Sequence, residues 1–181
     1  MNIESAILGV LSWKPLSGYD LKKIFEQSPI MHWSGNNNQI YKALTKLHRD
    51  GLATTEVLYQ ENAPVRKVYS ITDKGLSQLK KAILETPDEP EWRKTFLIRL
   101  AWADMITDEE LLDLLAKYEE KVRDTLHMEM EKKRRGGTPG RSSREIFLWE
   151  KIYENIFLSL QNELDWIDKM RSEFINNAAQ K

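Results

Sequence analysis

A stretch of polar and basic side chains without a single carboxylate lies between Asn36 and Arg49. Asn and Gln amides can form paired hydrogen bonds with adenine edges in the major groove, and Lys, Arg and Tyr can reach phosphate oxygens. In a chain with 28 acidic residues, an acid-free stretch of this length favours DNA contact over an ordinary solvated helix face. The DNA-binding residues predicted here are Asn37, Asn38, Gln39, Tyr41, Lys42, Thr45, Lys46 and Arg49.

A second basic pair, Arg66 and Lys67, follows a polar turn at residues 60–64. Runs rich in β-branched residues flank this turn and predict a β-hairpin with strands at 52–59 and 65–71. A hairpin of this kind would place both cations against the phosphate backbone or in the minor groove. The alternative is an ordinary charged hairpin with no partner.

Apolar residues at spacings of three and four predict three helices around these residues. The first covers residues 3–12, the second begins at Ser17, and the third runs from residue 34 or 36 to residue 50. Ser17 and Asp20 have the spacing of a capping box, and Gly51 is the expected residue after the third helix. Thr72 is expected to cap a fourth helix over 73–84, with Leu76, Leu79 and Ile83 facing inward. This order of elements, with three helices followed by a hairpin and a fourth helix, is that of a winged helix-turn-helix. We assign this fold to residues 1–85.

The remainder of the chain has a helical pattern throughout. Residues 86–90 are predicted to form a linker, and residues 91–181 a helical dimerisation domain with helices over 91–105, 108–135 and from Ser142 or Ser143 onward. The last helix carries a stripe at alternating steps of three and four, interrupted at Glu163. A stripe of this length is expected to meet a second copy of the chain. Its predicted interface residues are Ile146, Trp149, Tyr153, Ile156, Leu160 and Ile167. The predicted fold class is mainly α with one small β-hairpin.

Composition narrows the function classes. The chain has 181 residues, a formal net charge of −1 and no cysteine, which leaves no disulfide framework and no thiolate metal site. Residues 1–75 hold nine Lys or Arg and seven Asp or Glu. The three histidines lack metal-ligand spacing, and neither a phosphate-binding loop nor a nucleophile motif occurs. We therefore expect no metal, no cofactor and no enzymatic activity, and a cytoplasmic protein.

Residues 1–85 resemble the PadR-like transcriptional regulators. The matching stretches begin at Ile7 (ILGVL), Ser17 (SGYDL), Gln39 (QIYKALTKL), Asp50 (DGL) and Arg66 (RKVYSITDKG). The resemblance implies a homodimeric repressor on a two-fold operator, with contacts from Gln39, Tyr41, Lys42, Arg66 and Lys67. The chain departs from the family where Pro often follows the Tyr of the third helix, which is Lys42 here. It also lacks the Gly-Arg-Pro-Arg-like wing tip, with Asn62-Ala63-Pro64-Val65 in its place, which argues against insertion of that tip into the minor groove.

The family also implies a place for a small aromatic or apolar effector, because aromatic residues near its dimer interface sometimes line a pocket. The candidates in this chain are Trp92, Phe96 and Trp102, for which plain core packing is the alternative. Two other functions remain open. One is a winged-helix module that binds proteins and not DNA, and the other is a regulator of the MarR type. Long helices that all follow the wing favour the PadR-like arrangement over the MarR type.

Overall fold

The structure, a computed structural model, describes residues 1–28, 30–31, 38–60, 63–90, 94–136 and 140–178, without the side chains of residues 59, 60, 63–65 and 178. The chain divides into two compact units, residues 1–90 and residues 91–181, and each is described by itself. None of the helices in the described ranges is long and apolar enough to cross a membrane.

The first unit is built around three helices, α1 (Ile3–Leu11), α2 (Gly18–Gln27) and α3 (Asn38–Arg49). The apolar stripes expected from the sequence form its core, in which Ile7, Leu21 and Leu44 are fully buried. The capping box at the start of α2 is confirmed, since Ser17 and Asp20 each bond the other's backbone N–H. These local signals set where α2 begins.

A Schellman motif ends α3. The Gly51 N–H donates to the carbonyl of His48 at 3.0 Å, and the Leu52 N–H donates to that of Leu47 at 2.9 Å. Gly51 has a φ of +70°, a left-handed conformation that costs glycine little, so its predicted role after the helix is confirmed. The start of α3 predicted at residue 34 or 36 lies outside the described residues.

A three-stranded antiparallel sheet follows, in the order β1 (Leu16–Ser17), β3 (Ala63–Ile71) and β2 (Ala53–Gln60). The predicted hairpin is present, but its strands extend further, because Gln60 pairs with Ala63 where a longer turn was expected. The third strand, β1, was not predicted, since two residues are too short to show a strand period. Its pairing of Ser17 with Val68 joins the hairpin to the start of α2.

Helix α4 (Asp73–Ile83) completes the first unit, and the Thr72 side chain accepts a hydrogen bond from the Gly75 N–H at 3.0 Å. The predicted inward face is partly wrong, because Leu76 and Ile83 are exposed. Gly75 faces inward in their place, where a Cβ atom would lie 2.1 Å from the carbonyl oxygen of Leu52. The close approach of α4 to the chain at residue 52 selects a glycine, which hydrophobic spacing does not detect.

The second unit contains α5 (Thr95–Leu100), a 3₁₀ turn (Ala103–Met105), α6 (Asp108–Arg135) and α7 (Ser143–Ala178). The single helix predicted over 91–105 is wrong, because the backbone of Trp102 leaves the helical region, with φ −111° and ψ 10°. Helix α6 begins at a capping box in which Thr107 and Glu110 each bond the other's backbone N–H, a pattern that the Thr-x-x-Glu spacing predicts. The hydroxyl of Ser142 caps α7 by accepting from the Glu145 N–H at 3.1 Å.

Helices α5, α6 and α7 share one core. Its buried members are Phe96, Leu115, Val122, Leu164 and Ile167. Glu163, the interruption in the apolar stripe, is satisfied within the unit, because Tyr118 donates to it at 2.7 Å and Lys94 pairs with its other oxygen. A polar residue therefore connects all three helices at the point where the stripe predicted an apolar side chain.

Candidate nucleic-acid interface

Helix α3 separates its side chains into a buried and an exposed face. Ile40, Leu44 and Leu47 point into the core, so the polar residues between them point outward. All the predicted contact residues of the helix that the structure describes are exposed, namely Asn38, Gln39, Tyr41, Lys42, Thr45, Lys46 and Arg49. Asn37 lies outside the described residues. Six of the exposed residues, all except Gln39, line one open groove of about 400 Å³.

The ring of Tyr41 occupies the middle of this face. It lies against Gly18 at the start of α2, where a Cβ atom would lie 2.5 Å from Cε1 of the ring. The hydroxyl of Thr45 donates to the Tyr41 carbonyl at 2.9 Å, one helical turn away. Burial, together with the nearby Tyr41, raises the pKa of Tyr69 on β3 above its usual value. The hydroxyls of the two tyrosines therefore lie near enough to interact electrostatically between α3 and β3.

Two cations of this face are paired with carboxylates from outside the helix. Lys46 lies 3.0 Å from a carboxylate oxygen of Glu4 on α1, and Arg49 lies 3.2 Å from one of Asp50. The stretch itself is acid-free, but the fold supplies acids beside it. Exposed pairs of this kind contribute only about 0–1 kcal/mol, so a phosphate can replace either carboxylate. Lys42 is exposed and has no ion-pair partner in the described part of the chain.

The two predicted cations of the hairpin differ in their surroundings. Lys67 is exposed, and no described carboxylate pairs with it. Arg66 forms an ion pair with Asp20 and donates to the Ser17 hydroxyl at 3.2 Å. Burial opposes ionisation of Asp20, but the hydrogen bonds from Ser17 and Arg66 outweigh it and lower the pKa of this carboxyl. Arg66 is therefore engaged within the unit, whereas Lys67 is free to meet a partner.

Sequence reasoning did not identify Gly18, Glu4 or Asp20 as neighbours of the candidate site. Glu4 and Asp20 pair with cations 42 and 46 positions further along the chain, a separation that no local pattern reveals. Gly18 is the first residue of α2, and glycine is a poor helix former that the helix itself does not require there. That unusual position is a signal that could have indicated a close approach of another side chain.

Residues 7–81 match the model of the Transcriptional regulator PadR-like family. This chain carries a PadR-like domain. Negative transcriptional regulator PadR of Bacillus subtilis is 31% identical over 113 residues, which are 62% of each chain. Probable transcriptional regulator Rv1176c of Mycobacterium tuberculosis is 32% identical over 92 residues, 50% of this chain and 49% of that protein. The matches thus span less than two thirds of either relative.

Solved structures are similar over nearly the whole chain. Bacillus subtilis PadR in complex with operator DNA has a TM-score of 0.80 at 23% identity, covering 95% of this chain and 98% of that one. The PadR-like regulator BC1756 from Bacillus cereus has a TM-score of 0.76 at 23% identity, covering 96% and 98%. At this level of identity the likeness concerns the fold, which is that of the winged-helix PadR structures.

The residues predicted for a dimer interface lie along α7 in the unit that follows the PadR-like domain. Ile146 is 47% exposed, and the described side chains that follow it are partly exposed, namely Trp149, Tyr153, Ile156 and Leu160. Ile167 requires a correction, because it is fully buried among the core residues of its own unit and has no surface left for a partner. The available stripe therefore lies in the first half of α7.

The residues predicted for an effector site lie in different surroundings. Phe96 is buried, stacked on Tyr118 with ring centroids 3.5 Å apart and set edge-on to Trp166 at 6.3 Å. Trp102 is 69% exposed and is not among the residues packed on that core. Trp92 lies outside the described residues. Phe96 thus has the packing of a core residue, and the assignment of these aromatic residues to an effector remains a prediction.

Proposed function

We propose that this chain is a sequence-specific DNA-binding transcriptional regulator, in which residues 1–85 bind DNA, 86–90 link, and 91–181 dimerise. The observation that carries this proposal is the outward face of α3. Amides, a tyrosine, a threonine and three cations project from a helix whose opposite side is buried. Side chains of these types read base edges and hold phosphates when such a helix enters the major groove. The PadR-like domain, whose relatives bear the names of transcriptional regulators, supports the same function.

The proposal includes a homodimer that binds a two-fold operator. One recognition helix reads only a few base pairs, so a second copy is needed for useful specificity. The first half of α7 offers a surface for that copy, because Ile146 is about half exposed and Trp149, Tyr153 and Ile156 of the same stripe are partly exposed. Large exposed apolar patches on a folded chain mark interaction sites.

Repression relieved by a small molecule completes the proposal. One relative is named a negative transcriptional regulator, and Bacillus subtilis PadR has been solved both with operator DNA and with p-coumaric acid. We transfer to this chain only the class of ligand, a small aromatic or apolar effector, with Trp92, Phe96 and Trp102 as candidate residues. A cytoplasmic location and the absence of enzymatic activity belong to the same proposal.

The decisive experiment measures binding of the full chain to duplex DNA over a range of salt concentrations. The duplex is first selected by the wild-type protein from a random-sequence library. We expect tight binding, and we expect Lys42→Ala to weaken it and to reduce the salt slope by about 0.9 for each phosphate that the lysine neutralises in the wild type. Lys121→Ala is the matched control, because Lys121 is an exposed lysine of α6 in the other unit.

The outcomes separate the alternatives. If no duplex is enriched and binding to DNA is absent at low salt, the protein-binding winged-helix module replaces this proposal. If DNA binds but Lys42→Ala leaves both affinity and slope unchanged, the chain is a DNA-binding protein that does not use Lys42.

A further inference from the structure

Besides the strand pairing of β1 with β3, side chains hold the hairpin to the start of α2 at one oxygen atom of Asp20. Oδ2 of Asp20 accepts from the Ser17 N–H at 3.1 Å, from the Ser17 hydroxyl at 2.8 Å and from the Arg66 guanidinium. The same guanidinium nitrogen also donates to the Ser17 hydroxyl. Ser17 is buried, and the Asp20 side chain is only 29% exposed. Arg66 therefore completes a capping box that already belongs to α2.

Strand geometry explains why Arg66, and not its neighbour, forms this ion pair. Successive side chains of a strand alternate between faces, so Arg66 shares a face with Val68 and Lys67 projects from the other. Val68 is the strand partner of Ser17, which places its face beside the start of α2. The two adjacent cations thus have opposite environments, one held by the fold and one without a described partner.

We propose that Arg66 is a positioning residue that fixes the hairpin against α2 through Asp20, while Lys67 and Lys42 bind phosphates. This inference rests on the proposed function, DNA binding, and gives Arg66 a role different from that implied by the family resemblance. The Asp20 pair differs from the pair of Lys46 and Glu4 in the number of its donors and not in its exposure. Three donors converge on the Asp20 oxygen, so a phosphate that captured Arg66 would break a network and not a single exposed pair.

The direction in which Asp20→Ala changes DNA affinity distinguishes a positioning role for Arg66 from competition between Asp20 and a phosphate. If Asp20 merely withheld Arg66 from a phosphate, removing the carboxylate would free a cation and strengthen DNA binding. If Arg66 positions the hairpin, removing either partner leaves the hairpin held by its pairing with β1 alone and free to shift. DNA binding then weakens, even in Asp20→Ala, where a negative charge has been removed.

The experiment compares Asp20→Ala, Arg66→Ala, the double variant and the matched control Lys67→Ala on the library-selected duplex. We expect Asp20→Ala and Arg66→Ala each to weaken binding about ten- to a hundredfold, the range for losing a hydrogen bond between charged groups. Their salt slopes stay at the wild-type value, because the bound complex keeps the phosphate contacts of Lys67 and Lys42 and only the free hairpin is less well positioned. The double variant is no weaker than either single one. Lys67→Ala lowers the slope by about 0.9 for each phosphate that the lysine neutralises in the wild type. Asp20→Ala keeps the bond from the residue-20 N–H to the Ser17 hydroxyl and loses the reciprocal one, so one of the two bonds of the α2 capping box is retained.

A second readout needs no DNA. Amide hydrogen exchange along β3 is expected to accelerate equally in Asp20→Ala and Arg66→Ala and to stay unchanged in Lys67→Ala. A reduced salt slope for Arg66→Ala, or tighter binding by Asp20→Ala, overturns the positioning role. If the wild-type chain binds no DNA, the proposed function fails, and the exchange rates alone then decide whether Asp20 and Arg66 hold the hairpin.

Discussion

The ring of Tyr41 lies so close to Gly18 that a Cβ atom at residue 18 would be 2.5 Å from the ring's Cε1. Gly18→Ala therefore has to displace the ring, which is 48% exposed and can turn toward solvent. We predict that this variant changes the free energy of unfolding by less than about 1 kcal/mol. DNA affinity should fall about tenfold if the ring's hydroxyl binds a phosphate.

The control for this prediction is the same change in a Tyr41→Ala background. There the alanine at residue 18 meets no ring, so Gly18→Ala should have no further effect on DNA affinity measured by fluorescence anisotropy. Full affinity of the single variant Gly18→Ala would show that the position of the ring is irrelevant to binding.

The lowered pKa of Asp20 predicts how acid acts on the hairpin. A carboxyl whose pKa is lower in the folded state than its usual value of 3.8 stabilises the fold at neutral pH. That contribution begins to diminish below the usual value and disappears as the pH falls through the folded-state pKa. Asp20→Ala should thus be less stable than the wild type at neutral pH, and the two urea unfolding curves should converge in acid. A difference that stays constant with pH would contradict the prediction.

Phe96 and Trp102 should respond differently to truncation. Phe96→Ala leaves a cavity between Tyr118 and Trp166 and is expected to cost about 3–5 kcal/mol in urea unfolding. Trp102→Ala removes a mostly exposed ring and should stay within about 0.5 kcal/mol. If Trp102 binds an effector, aromatic acids should quench the wild-type fluorescence more strongly than that of Trp102→Ala. Equal quenching in both proteins would remove Trp102 from the effector site.

Association of two copies should depend on the first half of α7. Ile146→Arg is expected to shift the wild-type dimer toward monomer in sedimentation velocity runs, with unchanged helix content, because the side chain is half exposed in the single chain. Ile167→Ala serves as the contrast. It should cost about 2–5 kcal/mol of stability as a core truncation and should leave association of the folded chain intact. A wild-type protein that sediments as a monomer at micromolar concentration would remove the dimer from the proposal.

Features encoded by neighbouring residues were predictable from the sequence. The capping boxes at Ser17 and Thr107, and the left-handed Gly51, each require residues within a few positions of one another. The strand β1 and the buried Gly75 were missed, because distant segments impose them. The polar face of α3 followed from helical spacing, but the partners of its cations did not, since Glu4 comes from another helix.

The pairing of cations with nearby acids has a kinetic consequence. Of the five Lys and Arg residues predicted to bind DNA, three are paired with Glu4, Asp50 and Asp20. Their fields are largely cancelled beyond about 8–10 Å, the screening length at physiological salt. Distant DNA then exerts little pull on the protein, so encounter should be slow for a DNA-binding protein and residence on random sequence brief. Discrimination would come from short-range hydrogen bonds made only after the helix has entered its groove.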